Sequence, residues 1–398
     1  MGWNFILQIA RFQEVIAVTR QNNRSRIEQY MQEHPDGRYE RIRFLYFDLP
    51  YWKRFWKRGS RGAMLYYWLW QRGVVSFIQQ QELHFDIAHN LNFHNDWTPS
   101  YLWKLGKPMV WGPIGHHPLA PAQYLKGYGM AYRIKARLAW LVKRYFWSYS
   151  SGLQRTIQHA QHIFCMNHAV PSRLRLTEGS YSIMPSVASQ DFGYEPPSSK
   201  QPGFSLITAG RLTPLKGYDL SLRAFAQFLE SLEPDARRDC CLHVVGSGPE
   251  EKRYRWLAKS LNIDQYVTFI NWIERPELMT LFRRCSVFLF PSHEGAGMVV
   301  AEALSFGLPV VCLDNAGPGA FINADCGYAI PEGPYSHTVR GLSVALQQLY
   351  RDPLLRIQMG RAARQHFEDH FHWDRRGETL RIIYQSLLAH EDICLSPA

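Results

Sequence analysis

The chain has no C-x-x-C pair, no apolar run as long as a bilayer span, no internal repeat and no low-complexity tract. Its start lacks a basic region followed by an apolar core, so no secretory signal is visible. The seven cysteines (Cys165, Cys240, Cys241, Cys285, Cys312, Cys326 and Cys394) are scattered and odd in number. Several fall in predicted strands, where a thiol serves as a small apolar filler. Without a disulfide framework the expected compartment is reducing, with cytoplasm as the default. The missing bilayer-length stretch makes the expected protein soluble or peripheral. No His/Asp cluster has metal-ligand spacing, and no Ser-His-Asp order or activated nucleophile is visible.

What is present is enough for two α/β domains, since 398 residues exceed what one core usually supports. A hydrophobic share of 46% with 20% charged residues is ordinary globular material, able to bury sizeable cores. The net charge of +11 favours anionic partners: phosphate-bearing substrates, anionic lipid or nucleic acid. No recognition motif accompanies the charge, so nucleic acid is not an expected partner.

Short β-branched or aromatic runs alternate with longer amphipathic segments. Predicted strands are 15–19, 42–47, 85–89, 108–111 and 162–166, then 205–209, 241–246, 267–270, 286–290 and 309–313. Helical patterns fill most gaps, which argues for parallel sheets with crossover helices. Between the two series lies "SVASQDFGYEPPSSKQPG" (186–203), rich in Ser and Pro and without periodicity, the best linker in the chain. The expected architecture is two doubly wound domains facing a cleft.

Three stretches carry chemistry. In "VFLFPSHEGAGMVVAEALSFGLPVV" (287–311) a buried strand ends at Phe290 and Pro291, a turn spans Ser292–Gly297, and a helix runs to about Ser305. Glycines 295 and 297 let backbone amides approach a ligand, and a helix start adds partial positive charge, which suits phosphate. Glu294 and Glu302 can both face that ligand as hydroxyl-binding carboxylates; equally, they suit a capped helix with one buried, paired glutamate. In "LITAGRLTPLKGYDLSLRAF" (206–225) a strand runs into Gly210, and a loop displays Arg211 and Lys216 ahead of a helix. A rigid guanidinium fork beside a mobile ammonium suits a diphosphate, and two solvated surface cations explain the spacing equally well. In "LHVVGSGPEEKRYRWLA" (242–258) a strand opens at Gly246 into a Gly-x-Gly-Pro turn, either a phosphate loop or a plain βα turn.

Taken in this order, "GRLTPLKG", "GSGPEE", "EGAGMVVAEALSFGLPVV" and "LDNAGPGAFI" resemble consecutive blocks of the donor-binding domain of family 4 glycosyltransferases. The resemblance covers 205–330 closely and the rest more loosely. It implies the GT-B fold: two Rossmann-like domains, 1–188 on the acceptor side and 204–372 binding the donor, with a final helix at 373–392 crossing back to the first. It also implies metal-independent, retaining transfer from a nucleotide-diphosphate sugar to a saccharide or lipid-linked acceptor, as in surface polysaccharide or glycolipid synthesis. By resemblance Arg211 and Lys216 bind the donor diphosphate, with Gly210 and Gly246 in the same donor-binding set. Glu294 touches the donor sugar, the amides of Gly295, Ala296, Gly297, Met298 and Val299 hold sugar and phosphates, and Glu302 holds the ribose. Ala296 departs from the family, where a bulkier residue is usual. A same-fold nucleotide-sugar epimerase and a non-catalytic sugar-nucleotide binder are the alternatives.

In the first half, "HFDIAHNLNFHNDWTPSYLWKLGKPMVWGPIGHHPLAP" (84–121) resembles the family's acceptor-side region. The family's histidine position falls on Leu91, leaving His89 and His94 as catalytic candidates, with His116 and His117 in the next loop. Two basic-aromatic stretches, 51–73 and 132–151, suit either a face resting on anionic lipid headgroups or helices whose aromatics line a core. The first reading makes the protein peripheral on the inner membrane face. The chain opens on "GWNFILQIARF", with helical spacing, followed directly by a strand. In the family a strand and a glycine-rich loop precede such a helix, so the first strand of this domain is expected to be missing. The expectation is a true start upstream of Met1, or a truncated chain.

Overall fold

The computed structural model describes residues 2–395 apart from Ser60, 92–94, Ser186, 195–202 and Ala296, with backbone only from His390 onward. The chain divides into two units. One comprises Met1–Gly115, Leu141–Ser186 and Trp373–Ala398; the other comprises His116–Trp140 and Val187–His372.

The first unit holds β1 (Val15–Arg20), β2 (Ile42–Phe47), β3 (Ala88–Asn90), β4 (Met109–Ile114), β5 (Ala160–Cys165) and β6 (Tyr181–Ile183). They form two parallel sheets, a pair β1-β2 and a foursome in the order β3-β4-β5-β6. β4 is buried at every position, as a continuous apolar run flanked by parallel neighbours should be. Its core also takes Val74 and Ile78 from the helix Ala63–Gln80 and Leu153 from the helix Ser151–His159. The helix Gly2–Ile9 leads into β1, and among the described residues no strand precedes it. The final helix, Trp373–Leu395, belongs to this unit: Phe5 meets Trp373 edge-on at 5.4 Å, and Arg11 pairs with Asp374 at 2.6 Å. Within this helix Leu380 and Tyr384 are buried.

The second unit holds β7 (Phe204–Ala209), β8 (Cys240–Val245), β9 (Val267–Ile270), β10 (Val287–Phe290), β11 (Val310–Asp314) and β12 (Gly327–Pro331). They make one parallel sheet in the order β12-β11-β10-β7-β8-β9. Both faces are covered, and the strands show it by alternation. Leu206, Val287 and Leu289 enter one core, while Ile207, Phe288 and Phe290 enter the other. Strand order reverses between β7 and β10. In doubly wound sheets that switch point is where the loops beyond the strand carboxyl ends diverge and leave room for a ligand.

Two segments depart from the sequence expectation. The residues 116–140, placed with the first domain by sequence, pack with the second unit. Tyr124 donates to the Gly333 carbonyl at 2.8 Å, and Tyr128 donates to Asp219 at 2.9 Å. The supposed linker is also anchored where it is described. Val187 and Ala188 are buried, Ser189 donates its amide to Phe371 at 2.9 Å, and Asp191 pairs with Arg364 at 2.6 Å. Periodicity could not reveal this, because these residues are held by single tertiary contacts rather than by a repeating face.

Among the described residues no helix is long and apolar enough to cross a membrane. The basic-aromatic stretches divide between the two readings. Tyr66 and Tyr67 are buried, whereas Tyr51, Trp52 and Phe55 are exposed. The helix Met130–Tyr149 buries none of its residues and leaves Met130, Ile134, Leu138, Leu141, Tyr145 and Tyr149 open to solvent.

Candidate functional site

The loops leaving β7, β8 and β10 gather at the switch point of the second sheet. Gly246, directly after β8, has φ near +130°, and a Cβ there would lie 2.1 Å from the Gly210 carbonyl oxygen. Only glycine lets the two strand ends approach this closely. The Gly210 amide donates to the Val245 carbonyl at 3.0 Å, which continues the β7–β8 ladder into the loops. Gly217, with φ near +68°, closes the Lys216 loop; a Cβ there would meet the Pro291 carbonyl oxygen at 1.9 Å. The loop after β7 is thereby pressed against the loop after β10.

That contact brings the two charged candidates together. Lys216 Nζ lies 2.6 Å from Glu294 Oε2 and 4.9 Å from the centre of the Phe290 ring. The Lys216 side chain is 13% exposed and that of Glu294 33%, so the cation is held in a recess with its partner nearer the surface. Arg211 stands exposed on the same loop as Lys216.

The Glu294 loop is pinned by four contacts. The His293 amide donates to the Leu215 carbonyl at 2.8 Å, and Asn315 donates to the Ser292 carbonyl at 2.8 Å. The His293 ring, itself buried, meets Glu332 at 2.7 Å. The Gly295 amide donates to Nδ1 of His117 at 3.1 Å. Beyond the loop, the helix Met298–Ser305 starts at buried Gly297; Met298 is exposed and Val299 half-buried. The helix ends in a Schellman closure. Gly307, with φ near +65°, donates to Leu304, and Leu308 donates to Ala303. Ala296, one of the expected donor contacts, lies outside the described residues.

Glu302 is almost fully buried on that helix and has its own cation, Arg275, at 2.7 Å. Burial raises its pKa above the ordinary carboxylate range, and the Arg275 guanidinium opposes the rise. The two glutamates named by sequence thus have different partners: Glu294 meets Lys216, and Glu302 meets Arg275. Among the described residues no group of three or more His, Cys, Asp and Glu side chains is arranged to hold a metal ion.

Of the histidines named by sequence, His94 lies outside the described residues. His89 sits on β3 of the first unit with both ring nitrogens engaged. Nε2 meets the Gly112 carbonyl at 2.9 Å and Nδ1 meets the Tyr384 hydroxyl at 2.6 Å. A carbonyl only accepts, so Nε2 carries the proton and Nδ1 accepts from the tyrosine. Desolvation lowers the His89 pKa to about 4. A neutral ring with both nitrogens taken is a tie between β3, β4 and the final helix. A general-base role for it requires one of these bonds to break. His117, on the second unit, is instead in direct contact with the Glu294 loop.

The chain is similar in fold to solved glycosyltransferase structures of the GT-B fold. Its similarity to WaaG, a glycosyltransferase involved in lipopolysaccharide biosynthesis, has a TM-score of 0.60 at 19% identity and covers 95% of each chain. Its similarity to Anabaena Alr3699/HepE in complex with UDP has a TM-score of 0.62 at 13% identity, covering 96% of this chain and 95% of that one. The class is therefore a GT-B protein with two Rossmann-like domains. More particularly, residues 195–366, less than half of the chain, match the family described as glycosyl transferases group 1. The segment is 33% identical over 184 residues to a GDP-mannose-dependent monoacylated alpha-(1-6)-phosphatidylinositol monomannoside mannosyltransferase of Corynebacterium glutamicum, covering 44% of this chain and 45% of that enzyme. It is 32% identical over 186 residues to a D-inositol 3-phosphate glycosyltransferase of Corynebacterium aurimucosum, covering 46% and 43%. Each match spans less than half of the curated relative's length.

Sequence reasoning missed Arg275, Asn315 and the His293–Glu332 pair, and it named His117 without its contact with the Gly295 amide. No local signal marks them, because each partner arrives from a different loop of the fold.

Proposed function

We propose that the chain is a family 4 glycosyltransferase that transfers a sugar from a nucleotide-diphosphate sugar to a saccharide or lipid-linked acceptor. Transfer proceeds with retention, in surface polysaccharide or glycolipid synthesis. The observation that carries this reading is the Lys216–Glu294 pair at the carboxyl ends of β7 and β10. Its support from relatives is the match of 195–366 to group 1 glycosyl transferases and the UDP found in a structure of similar fold.

In this reading Lys216 and Arg211 neutralise the diphosphate as it departs, together with the amides at the start of the helix Met298–Ser305. Charge that develops on the leaving group is what such a preorganised site stabilises most. These cations do the work that a metal performs elsewhere, so no metal or cofactor is required. Glu294 orients the donor sugar through its hydroxyls, and Glu302 accepts from the ribose. The main-chain amides of Gly295, Ala296, Gly297, Met298 and Val299 line the sugar and phosphates. Gly210 and Gly246, by letting the strand ends approach closely, set the loops of the same donor-binding site. When donor phosphate arrives, it competes with Glu294 for Lys216, and the carboxylate is released toward the sugar.

The acceptor reading includes a place at the membrane. The exposed apolar stripe of the helix Met130–Tyr149 alternates with Arg133, Lys135, Arg137 and Arg144. Tyr51, Trp52 and Phe55 stand exposed among Lys53, Arg54 and Lys57. Aromatic and basic groups in this mixture rest well on anionic headgroups of an inner membrane face. A lipid-linked acceptor would be met there.

The deciding experiment incubates the chain with UDP-, GDP- and ADP-sugars and follows nucleotide release and transfer, after thermal-shift ranking of the three diphosphates. Stabilisation by one diphosphate with turnover of its sugar is expected. Stabilisation without turnover would favour the non-catalytic binder, and epimerised sugar nucleotide as the sole product would favour the epimerase.

A further inference from the structure

The first unit carries a cavity of about 670 Å³ whose lining residues all belong to that unit. Met64, Trp68 and Arg72 reach it from one face of the helix Ala63–Gln80, at the four-residue spacing that stacks side chains along a helix. Val142 and Tyr145 reach it from the last turns of the helix Met130–Tyr149. The turn Leu102–Leu105 adds Trp103 and Lys104, and the helix Ser151–His159 adds Arg155.

Cations and rings alternate along this cavity. The Arg72 guanidinium lies 4.9 Å from the centre of the Trp68 ring and 5.8 Å from that of Tyr101. Lys104 Nζ lies 5.7 Å from the same Tyr101 centre and 5.5 Å from that of Trp103. Arg155 follows, 5.9 Å from Trp103. Elsewhere Arg24, Arg275 and Arg364 each hold a carboxylate, at 2.8, 2.7 and 2.6 Å. Among the described residues Arg72, Lys104 and Arg155 hold none, and no Asp, Glu, Asn or Gln lines the cavity. Their combined charge is therefore left for an anion from outside.

The elements that carry the row are tied to one another. The Ser100 amide donates to the Thr156 hydroxyl at 3.1 Å, and that hydroxyl donates to the Ser100 carbonyl at 2.7 Å. Trp97 meets Phe146 edge-on at 5.2 Å, and Leu102 and Leu153 are buried in the core of the unit. At the rim, Leu65, Val142 and Tyr145 are each half exposed or more. Sugar hydroxyls are gripped best by carboxylates and side-chain amides, which are the groups missing from this lining. Cations beside open aliphatic and aromatic surface suit an anion that carries an apolar chain.

We infer that this cavity binds one lipid whose head is a phosphate monoester, with the phosphate among Arg72, Lys104 and Arg155 and the start of the hydrocarbon chain along Leu65 and Val142. The two guanidinium forks suit pairs of phosphate oxygens, and the ammonium adds a mobile point charge. A phosphate monoester carries about −1.5 to −2 near neutral pH, so it answers three unpaired cations better than a diester with a single charge. This site deepens the lipid side of the proposed function, on which it rests, and is independent of the donor-site reading. The basic-aromatic face of that reading attracts any anionic surface. The cavity instead holds a single lipid and selects its head.

The test titrates the whole chain calorimetrically with dihexanoyl phosphatidate, a soluble lipid kept below its micelle concentration. Saturable one-to-one binding is expected, about tenfold or more tighter than that of inorganic phosphate and about fivefold tighter than that of dihexanoyl phosphatidylglycerol, a diester. Arg72→Gln combined with Lys104→Gln should weaken it by about tenfold or more. Both side chains are exposed, so folding is kept. Lys107→Gln, which removes an exposed cation outside the lining, should change it by less than about twofold. Equal affinity for the diester, unchanged binding in the double variant, or inorganic phosphate bound as tightly as the lipid overturns the inference. So does trigalacturonate, an acidic sugar without a chain, if it binds more tightly than the lipid, because the row would then belong to a glycan. Co-sedimentation with anionic vesicles is run alongside. Vesicles bound without one-to-one lipid binding would remove this site and leave the membrane face standing.

Discussion

Lys216 and Glu294 belong to loops 78 residues apart in sequence, and their charged ends meet at 2.6 Å. The pair is partly open to solvent, so its contribution to stability is small, about 0.5–1 kcal/mol. Its importance lies in what a diphosphate would do to it.

Lys216→Ala and Glu294→Ala should each lower transfer by at least about 100-fold while moving the unfolding temperature little. Glu294→Gln removes the anion that competes for Lys216. It should tighten binding of the free nucleotide diphosphate by about threefold, yet still lose transfer. Calorimetric titration beside a transfer assay measures both effects. Unchanged turnover in the alanine variants would remove the donor-site assignment.

The buried Glu302 predicts a pH-dependent penalty. Its pKa in the folded chain is raised, so its favourable contribution is complete at low pH and is lost as pH rises through the folded value. Arg275 opposes that loss. Arg275→Ala should therefore destabilise by about 1–2 kcal/mol near neutral pH, the half-exposed guanidinium placing the effect below that of a fully buried pair. The deficit should shrink at pH 5. Urea unfolding at the two values reads it, and an equal deficit at both would exclude the Glu302 origin.

His89 predicts the opposite slope. An unfolded histidine titrates near 6.5, whereas His89 titrates at about 4, so the unfolded chain binds more protons between these values. Stability is complete above the unfolded value and falls as pH drops toward the folded one. His162, also lowered to about 4 by burial, acts in the same direction. His89→Gln should make unfolding free energy less steep between pH 7 and 5 while lowering stability at pH 7. An unaltered slope would mean that the ring does not titrate as its surroundings dictate.

The exposed stripe of the helix Met130–Tyr149 predicts lipid binding. Leu138→Glu with Leu141→Glu should abolish co-sedimentation with vesicles containing a third phosphatidylglycerol and leave folding intact, since neither side chain is buried. Added salt should weaken binding of the unaltered chain, because the flanking cations act over about 10 Å at 0.1 M ionic strength. Vesicle binding that persists in the double variant would locate the lipid contact elsewhere.

The loops after β7 and β10 are legible in sequence because their grammar is local. A buried strand, a glycine and a helix start within ten residues place Lys216 and Glu294 without any knowledge of partners. β6 and β12 were not anticipated. β6 has three residues, and β12 begins at Gly327, where a Cβ would lie 2.1 Å from the Val310 carbonyl oxygen. The partners of Glu302 and of the Gly295 amide are invisible in sequence for a different reason. Arg275 finds Glu302 27 residues onward, and His117 meets the Gly295 amide 178 residues away. Tyr124 and Tyr128 likewise assign 116–140 to the second unit through hydroxyl contacts that no periodicity announces. Ala296 and His94 lie outside the described residues, so their expected roles rest on resemblance alone.

The close approach of Gly217 to the Pro291 carbonyl has a practical corollary. The loops bearing the cation and the carboxylate are abutted through main chain, Gly217 against the Pro291 carbonyl. Altering side chains nearby can change what the recess grips, but it leaves the width of the jaws as it was. In the proposed donor site, redesign for a bulkier or smaller sugar would therefore work through exposed side chains such as Met298, because the frame offers no adjustable screw.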